Sequence, residues 1–520
     1  MISLHALRVA FSHGSAVPLL DDVDLHLGPG WTGIVGENGA GKTTLLGLFA
    51  GTLKPERGHV RRDPPGARVV FCPQTVDALS DGITRFAEDP DGDAAALRGR
   101  LDLVPEDLER WPTLSPGERK RWQIGAALAE APEILLLDEP ANHLDVEARR
   151  LLVGALRRFD GVGILVSHDR DLLDALTTTT LRIHQCRVHV YRGRYADARA
   201  AWEAETAFAR EEREAAKSEE RRAARKLDLA RREQASVDAA RSMRKQMKNK
   251  NDHDGRGMLH KIAIASAEKS AGRAVGVARG EHERASAELA RRHVEKELGG
   301  DIYVDWERPT QAWPFLLELP VLRAGDAELV FDIRLAVPRD GRFRIEGRNG
   351  AGKSTLLGAL AAAARIPREQ VLYLPQDLPA EARRALLAEV RALGPAERGR
   401  TLSLVATLGS DPERILASAE PSPGEARKLA IALGLGRRAS ALLLDEPENH
   451  LDLPSLERLE RALEGYPGAI VMVSHDASFA RRATRTVWRI EGGRIHERDA
   501  QGAAGESSRG SRSSRSKMIS

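Results

Sequence analysis

Two short stretches carry the residue types that grip a phosphate chain. Gly36-Glu37-Asn38-Gly39-Ala40-Gly41-Lys42-Thr43-Thr44 sets a lysine and a hydroxyl directly after a glycine-rich turn. Gly347-Arg348-Asn349-Gly350-Ala351-Gly352-Lys353-Ser354-Thr355 does so again. Glycines let successive backbone N–H groups close around phosphate oxygens, and the start of the following helix adds a favourable dipole. The pattern makes both stretches ATP phosphate loops, with Lys42 and Lys353 directed at the β- and γ-phosphates. The Thr43 and Ser354 hydroxyls are then suited to Mg2+.

Each loop has companions. Asp138-Glu139 and Asp445-Glu446 close apolar runs (ILLL and ALLL), and neighbouring residues of a strand point to opposite sides. The first carboxylate of each pair suits the Mg2+ shell; the second is placed to orient or deprotonate water. His168 and His475 follow apolar strands and precede an Asp, which suits contact with the γ-phosphate or the water. Gln74 and Gln376 could sense the metal from a loop. Ser115-Pro116-Gly117-Glu118 and Ser422-Pro423-Gly424-Glu425 read as capping boxes opening helices, Ser at the N-cap and Glu at N3.

These blocks occur twice in one order, with the copies about 300 residues apart, so the chain is an internal duplication. Alternating short apolar strands and helices predict an α/β fold for each copy. Between the copies no Gly or Pro occurs from Arg194 to Asp254, which predicts one long helix. The Gly-punctuated run 252–280 is expected to turn, and the run from Glu281 to return as a second helix of an αα-hairpin. The expected divisions are a first copy over 1–198, a hairpin linker over 199–300, a second copy over 301–498 and a disordered Ser/Arg-rich tail over 499–520.

A net charge of +3 over 520 residues leaves room only for a local nucleic-acid surface. The linker tip supplies one: from Arg241 to Gly280 there are ten Lys/Arg against three Asp/Glu. Arg241, Arg244, Lys245, Lys248 and Lys250 are the candidate RNA contacts there. Two cysteines, Cys72 and Cys186, argue against a disulfide framework. The start of the chain does not read as a signal peptide, and no run is long and apolar enough to span a bilayer. A cytoplasmic protein without a membrane partner is the expectation.

The ordered blocks resemble the ATP-binding cassette superfamily. Within it, Asp-Glu-Pro-x-Asn-His-Leu-Asp in both copies, SHDRDLLDALTT and VYRGRYADARAAWEAE are similar to the F subfamily, ABC-F. The resemblance implies two tandem P-loop cassettes, joined by the long helical hairpin, that pair head to tail within a monomer. One ATP would lie between Lys42 and the Ser422/Gly424/Glu425 signature, the other between Lys353 and Ser115/Gly117/Glu118. It further implies a ribosome-binding ATPase whose interdomain helices enter the exit-tRNA region and approach the peptidyl-transferase centre, touching ribosomal RNA and tRNA.

Two roles stand inside that reading: antibiotic resistance by ribosomal protection, and a translation factor relieving stalled ribosomes. The stretch between Gln74 and Ser115 is short, so the arm insertion of some housekeeping members is absent, which favours protection. An ATPase subunit of a transporter is a remoter alternative. The chain departs from the family pattern at Pro116, Pro423 and Pro421 in the signatures, and at Ala141 and Glu448, where Thr is commoner. For stacking on adenine, Phe11 and His13 are the candidates in the first copy, and the second offers none.

Overall fold

The computed structural model describes residues 2–12, 14, 18–142, 144–246, 256–291, 302, 306, 308–318, 321–324, 327–330 and 335–499. They form two compact units, one of Met1–Ala198 with Leu298–Ser520 and one of Arg199–Glu297.

The first unit holds both copies. In the first, five parallel strands lie in the order Val69–Cys72, Ile134–Asp138, Val162–Val166, Gly30–Gly36, Thr179–His184, and Arg187–Arg192 closes the edge antiparallel. The second repeats that order with Val371–Leu374, Ala441–Asp445, Ala469–Val473, Arg342–Glu346, Thr486–Glu491 and antiparallel Arg494–Asp499. Every residue of Ile134–Asp138, Val162–Val166, Ala441–Asp445 and Ala469–Val473 is buried. That is why these strands read as unbroken apolar runs: a parallel sheet is covered on both faces.

Each phosphate-loop strand sits inside its sheet, so the loop emerges at the carboxyl ends of the strands, next to the strand that leads into Ser-His-Asp and one strand further from the strand that ends in Asp-Glu. Leu45, Leu46, Leu48 and Phe49 of the helix Lys42–Ala50 pack into the first core with Ile34, Leu136 and Ile164. Leu356, Leu357 and Leu360 of the helix Lys353–Ala362 do the same with Ile345, Leu443 and Val471. The helices therefore grip the sheet by apolar side chains while their amino ends face the loop.

The two copies touch through buried charge as well. Arg170 of the first donates to Glu460 of the second at 2.7 Å, and Arg482 lies 3.3 Å from the other oxygen of Glu460. Tyr195 Oη donates to Glu457 at 3.0 Å.

The helix Tyr195–Gln246 carries the chain into the second unit, and Arg256–Arg291 returns. Within that unit Leu227 and Ala230 bury against Val275 and Ala278, while Lys226–Glu281 and His282–Glu220 pair at 3.2 Å. The run 256–280, expected to turn, is helical. Val275 and Ala278 supply a packed stripe, and Gly272 and Gly276 look into open space, so burial outweighs the roughly 1 kcal/mol each glycine costs a helix. The side chains of Arg241, Arg244 and Lys245, and residues Lys248 and Lys250 altogether, lie outside the described structure, as do His13 and the tail beyond Asp499. Among the described residues no helix is long and apolar enough to cross a membrane.

Candidate active site

The phosphate loops bend where glycine permits. Gly39 and Gly41 have φ of 82° and 97°, Gly350 and Gly352 of 78° and 91°, the left-handed region open to glycine at little cost. Gly41 and Gly352 are the N-caps of their helices, which starts those helices on Lys42 and Lys353. Each lysine then folds back over its loop: Lys42 Nζ donates to Gly36 and Glu37 carbonyls at 2.9 Å, and Lys353 Nζ to Gly347 and Arg348 at 3.0 and 3.1 Å. Burial pulls both ammonium groups below their ordinary value, against the pull of nearby carboxylates. Thr44 and Thr355 continue the first turns of these helices.

Thr43 Oγ1 donates to Asp138 at 2.8 Å. In the second copy burial pushes the Asp445 carboxyl up while the Ser354 hydroxyl works the other way, and neither Asp445 oxygen makes a hydrogen bond of ordinary geometry. Hard, buried oxygens with spare lone pairs are what a small divalent cation takes, so these residues fit Mg2+.

Glu139 and Glu446 follow with φ of 48° and 45°, a strained conformation for a side chain of this size, held because each N–H is tied to the next strand, at Val166 O (2.9 Å) and Val473 O (2.8 Å). The bend carries each second carboxylate away from the sheet and onto its histidine. His168 Nε2 lies 3.2 Å from Glu139 Oε1, and His475 Nε2 lies 3.0 Å from Glu446 Oε1.

The two carboxyls are pushed in opposite directions. Burial pushes Glu139 up to about 8, and burial with the neighbouring Lys42 pushes His168 down to about 3. Burial also works against Glu446, but His475, Asn449 (2.6 Å) and Lys353 outweigh it, bringing Glu446 below its ordinary value. Gln376 donates to Glu446 at 3.1 Å. Gln74 lines the first cleft.

Each capping box forms as expected: Glu118 N–H donates to Ser115 Oγ, whose own N–H and hydroxyl donate to Glu118, and Ser422 with Glu425 repeats it. These helix starts face the opposite copy's loop. A cleft of about 870 Å3 has Asn38, Gly39, Gly41, Lys42, Thr43, Thr44, Asp138, Glu139 and His168 on one side and Ser422, Gly424 and Glu425 on the other. It also reaches Glu446 and His475. A second cleft, about 570 Å3, sets Asn349 and Gly350 against Ser115, Gly117 and Glu118.

In the first cleft the halves are joined directly. Asn38 N–H donates to Asp452 at 3.0 Å and its amide to His450 O at 2.9 Å. A Cβ on Gly424 would lie 2.6 Å from that His450 carbonyl, which is why glycine stands there.

Of the two adenine-stacking candidates, Phe11 and His13, Phe11 lies in the first core, 9% exposed, and Leu19 is among the apolar residues that line the cleft. Sequence reasoning also passed over two buried cations. Lys120 Nζ donates to Pro73, Gln74 and Asp138 carbonyls, and Arg427, at the matching place, to Pro375, Gln376, Asp445 and Glu446 carbonyls. They tie the glutamine loop to the Asp-Glu strand; a basic residue two places after each capping glutamate was the available signal. Asp452, Asn449 and Arg414, all on the first cleft, were missed as well.

Two phosphate loops, each facing the helix start of the other copy, define a twin-cassette P-loop ATPase. The ABC transporter family matches twice, over residues 20–142 and 330–449. The chain is 32% identical to the tylosin resistance ATP-binding protein TlrC of Streptomyces fradiae, over 90% of this chain and 93% of that one. It is 28% identical to the ribosome protection protein VmlR of Bacillus subtilis (strain 168), over 87% and 80% respectively. Among solved structures an RNase-L inhibitor shares the fold, with a TM-score of 0.58 and 20% identity over 94% of this chain and 89% of that one. The chain belongs to the ATP-binding cassette family and, within it, to the ABC-F group.

Asp452 offers a test of the cross-cassette contact. Burial works to raise its carboxyl, but Lys428 at 3.3 Å, with donors from Ser455 and Asn38, outweighs burial and holds it at about 2. A depressed carboxylate adds stability that is complete above its ordinary pKa, near 4, and is lost as pH falls through 2. Denaturant titration of Asp452→Asn should show a deficit at pH 7 that shrinks by roughly half at pH 3. A deficit that does not change with pH would mean the charge plays no part.

Proposed function

We propose that this protein is a ribosome-associated ATPase that protects the ribosome from antibiotics. The observation that carries the ATPase mechanism is the Asn38 bridge to Asp452 and His450, since it joins one cassette's phosphate loop to the segment that follows the other's Asp-Glu strand, beside its signature glycine Gly424. In this reading Lys42 and Lys353 bind the β- and γ-phosphates, and Ser115/Gly117 and Ser422/Gly424 close on them from the opposite cassette. Glu139 and Glu446 orient or deprotonate the attacking water, with His168 and His475 at the water or the γ-phosphate. Thr43, Asp138 and Gln74 in one cleft, and Ser354, Asp445 and Gln376 in the other, would hold Mg2+, which when bound neutralises phosphate charge.

Closure of the cassettes on ATP then drives the 199–300 hairpin into the ribosomal exit-tRNA and peptidyl-transferase region, and hydrolysis releases it. Relatives described as a tylosin resistance protein and a ribosome protection protein support this reading. So does the basic stretch from Arg241 to Lys250, whose cations suit ribosomal RNA phosphates.

Changing Glu139→Gln and Glu446→Gln together should leave ATP binding intact, abolish turnover and lock the protein on ribosomes in sedimentation with ATP. A double variant that sediments free of ribosomes would overturn the ribosomal reading. Expressed in a susceptible bacterium, the unaltered chain should raise resistance to at least one of the macrolides, lincosamides, pleuromutilins or phenicols. No change with any of the four would leave the translation-factor role in its place. Neutralising Arg244, Lys245, Lys248 and Lys250 should weaken ribosome binding and flatten its log–log salt slope by about three. An unchanged slope would point to a protein partner.

A further inference from the structure

The residue after the proline in each Asp-Glu-Pro segment is Ala141 in the first cassette and Glu448 in the second. This single difference reorganises the hydrogen bonds around the histidine turn. In the second cassette Glu448 Oε1 accepts from the Ser474 hydroxyl at 2.8 Å, from His475 N–H at 2.6 Å and from Asp476 N–H at 3.3 Å. The turn is thereby fastened to a side chain that takes no bond from the histidine ring. Glu446 is left to side chains alone: the His475 ring on one oxygen, Gln376 and Asn449 on the other.

The first cassette has no such anchor, because a methyl group accepts nothing. There His168 N–H donates to Glu139 Oε2 at 3.3 Å, while the His168 ring lies against Glu139 Oε1. Glu139 Oε2 takes the backbone N–H of the turn and Oε1 faces the ring of the same residue, so a shift of the histidine turn acts on the carboxylate directly. Ser167 Oγ takes Asp169 N–H at 3.0 Å, as Ser474 Oγ takes Asp476 N–H at 3.1 Å, so the rest of the turn is alike in the two copies.

We propose that Glu448 is a positioning residue for the second ATP site: it takes the backbone N–H groups of the Ser474–Asp476 turn, so that Glu446 spends neither oxygen on that backbone and is aimed by the His475 ring, Gln376 and Asn449. Ala141 leaves that task to Glu139, and the second site is therefore the faster of the two. A catalytic group held by its own dedicated contacts is preorganised, whereas a misplacement of about 1 Å can cost a hundredfold in rate. Glu448 acts through its neighbours and touches neither phosphate nor water in this assignment. The inference rests on the reading of Glu139 and Glu446 as the water-activating pair.

The test uses the full chain with one site silenced. In a Glu139→Gln background, which reports the second site, Glu448→Ala should lower kcat about tenfold with KM changed less than twofold. Glu448→Gln, which keeps an acceptor oxygen for the turn, should retain kcat within about threefold. In a Glu446→Gln background, Ala141→Glu should raise the kcat of the first site. Because Glu448→Ala installs the residue that the first cassette already carries, an unfolding temperature close to the parent's is expected.

An unchanged kcat for Glu448→Ala would overturn the proposal. So would a Gln variant as slow as the Ala variant, or a loss confined to KM. If silencing either site stops all turnover, the otherwise unaltered chain gives the answer. There Glu448→Ala must lower kcat at least twofold while Glu448→Gln does not, and equal rates for both variants reject the proposal. Turnover that survives in the Glu139→Gln/Glu446→Gln chain would instead reject the assignment of those two glutamates, whatever Glu448 does.

Discussion

A phosphate loop by itself closes only one side of a nucleotide. The contact on which the remainder depends is the bridge from Asn38, in the first phosphate loop, to Asp452 and the His450 carbonyl of the second cassette. Asp452 is already engaged as the N-cap of the helix Leu453–Gly465 and as the partner of Lys428. Its position is set by second-cassette structure before Asn38 arrives, so the first loop docks on a prepared acceptor. The same approach brings Ser422 and Gly424 to the edge of the cleft, and the absence of a side chain at Gly424 lets the His450 carbonyl come so close.

Around that junction the two sites are built on one plan with different details. Both place the second carboxylate on a left-handed residue against a histidine, and both use a buried cation, Lys120 or Arg427, to join the glutamine loop to the Asp-Glu strand. They diverge where the duplicated sequences diverge. Glu448 relieves Glu446 of holding the backbone of the histidine turn, and His475, Asn449 and Lys353 bring Glu446 below its ordinary value; burial pushes Glu139, beside its one histidine, the other way. Proline after each signature serine removes a backbone donor yet costs the helix nothing, because N1 has no intrahelical acceptor to lose.

Much of this was legible from residue types. The phosphate loops, the carboxylate pairs and the capping boxes are local devices, in which spacing and backbone preference dictate geometry, and they formed where their patterns stand. The glycine-dotted run 256–280 misled because propensity speaks only for an isolated segment. Val275 and Ala278 gain a partner in Leu227 and Ala230 some 50 residues away in sequence, and that burial overrides the glycines. Phe11 misled for a similar reason: an aromatic near a nucleotide loop can serve the ligand or the core, and only the packing against Leu20 and Phe49 in the first core distinguishes them.

The sequence alone determined that there are two phosphate loops, two acidic strand ends, two helix caps and an α/β frame to carry them, since each is written within a few neighbouring residues. Tertiary structure decided which loop meets which cap, which way each carboxyl is pushed by its surroundings, and that Lys120, Arg427, Asp452 and Glu448 belong to the sites at all. Those properties depend on burial and on partners as many as 414 residues apart along the chain, as Asn38 and Asp452 are, and no local pattern encodes them.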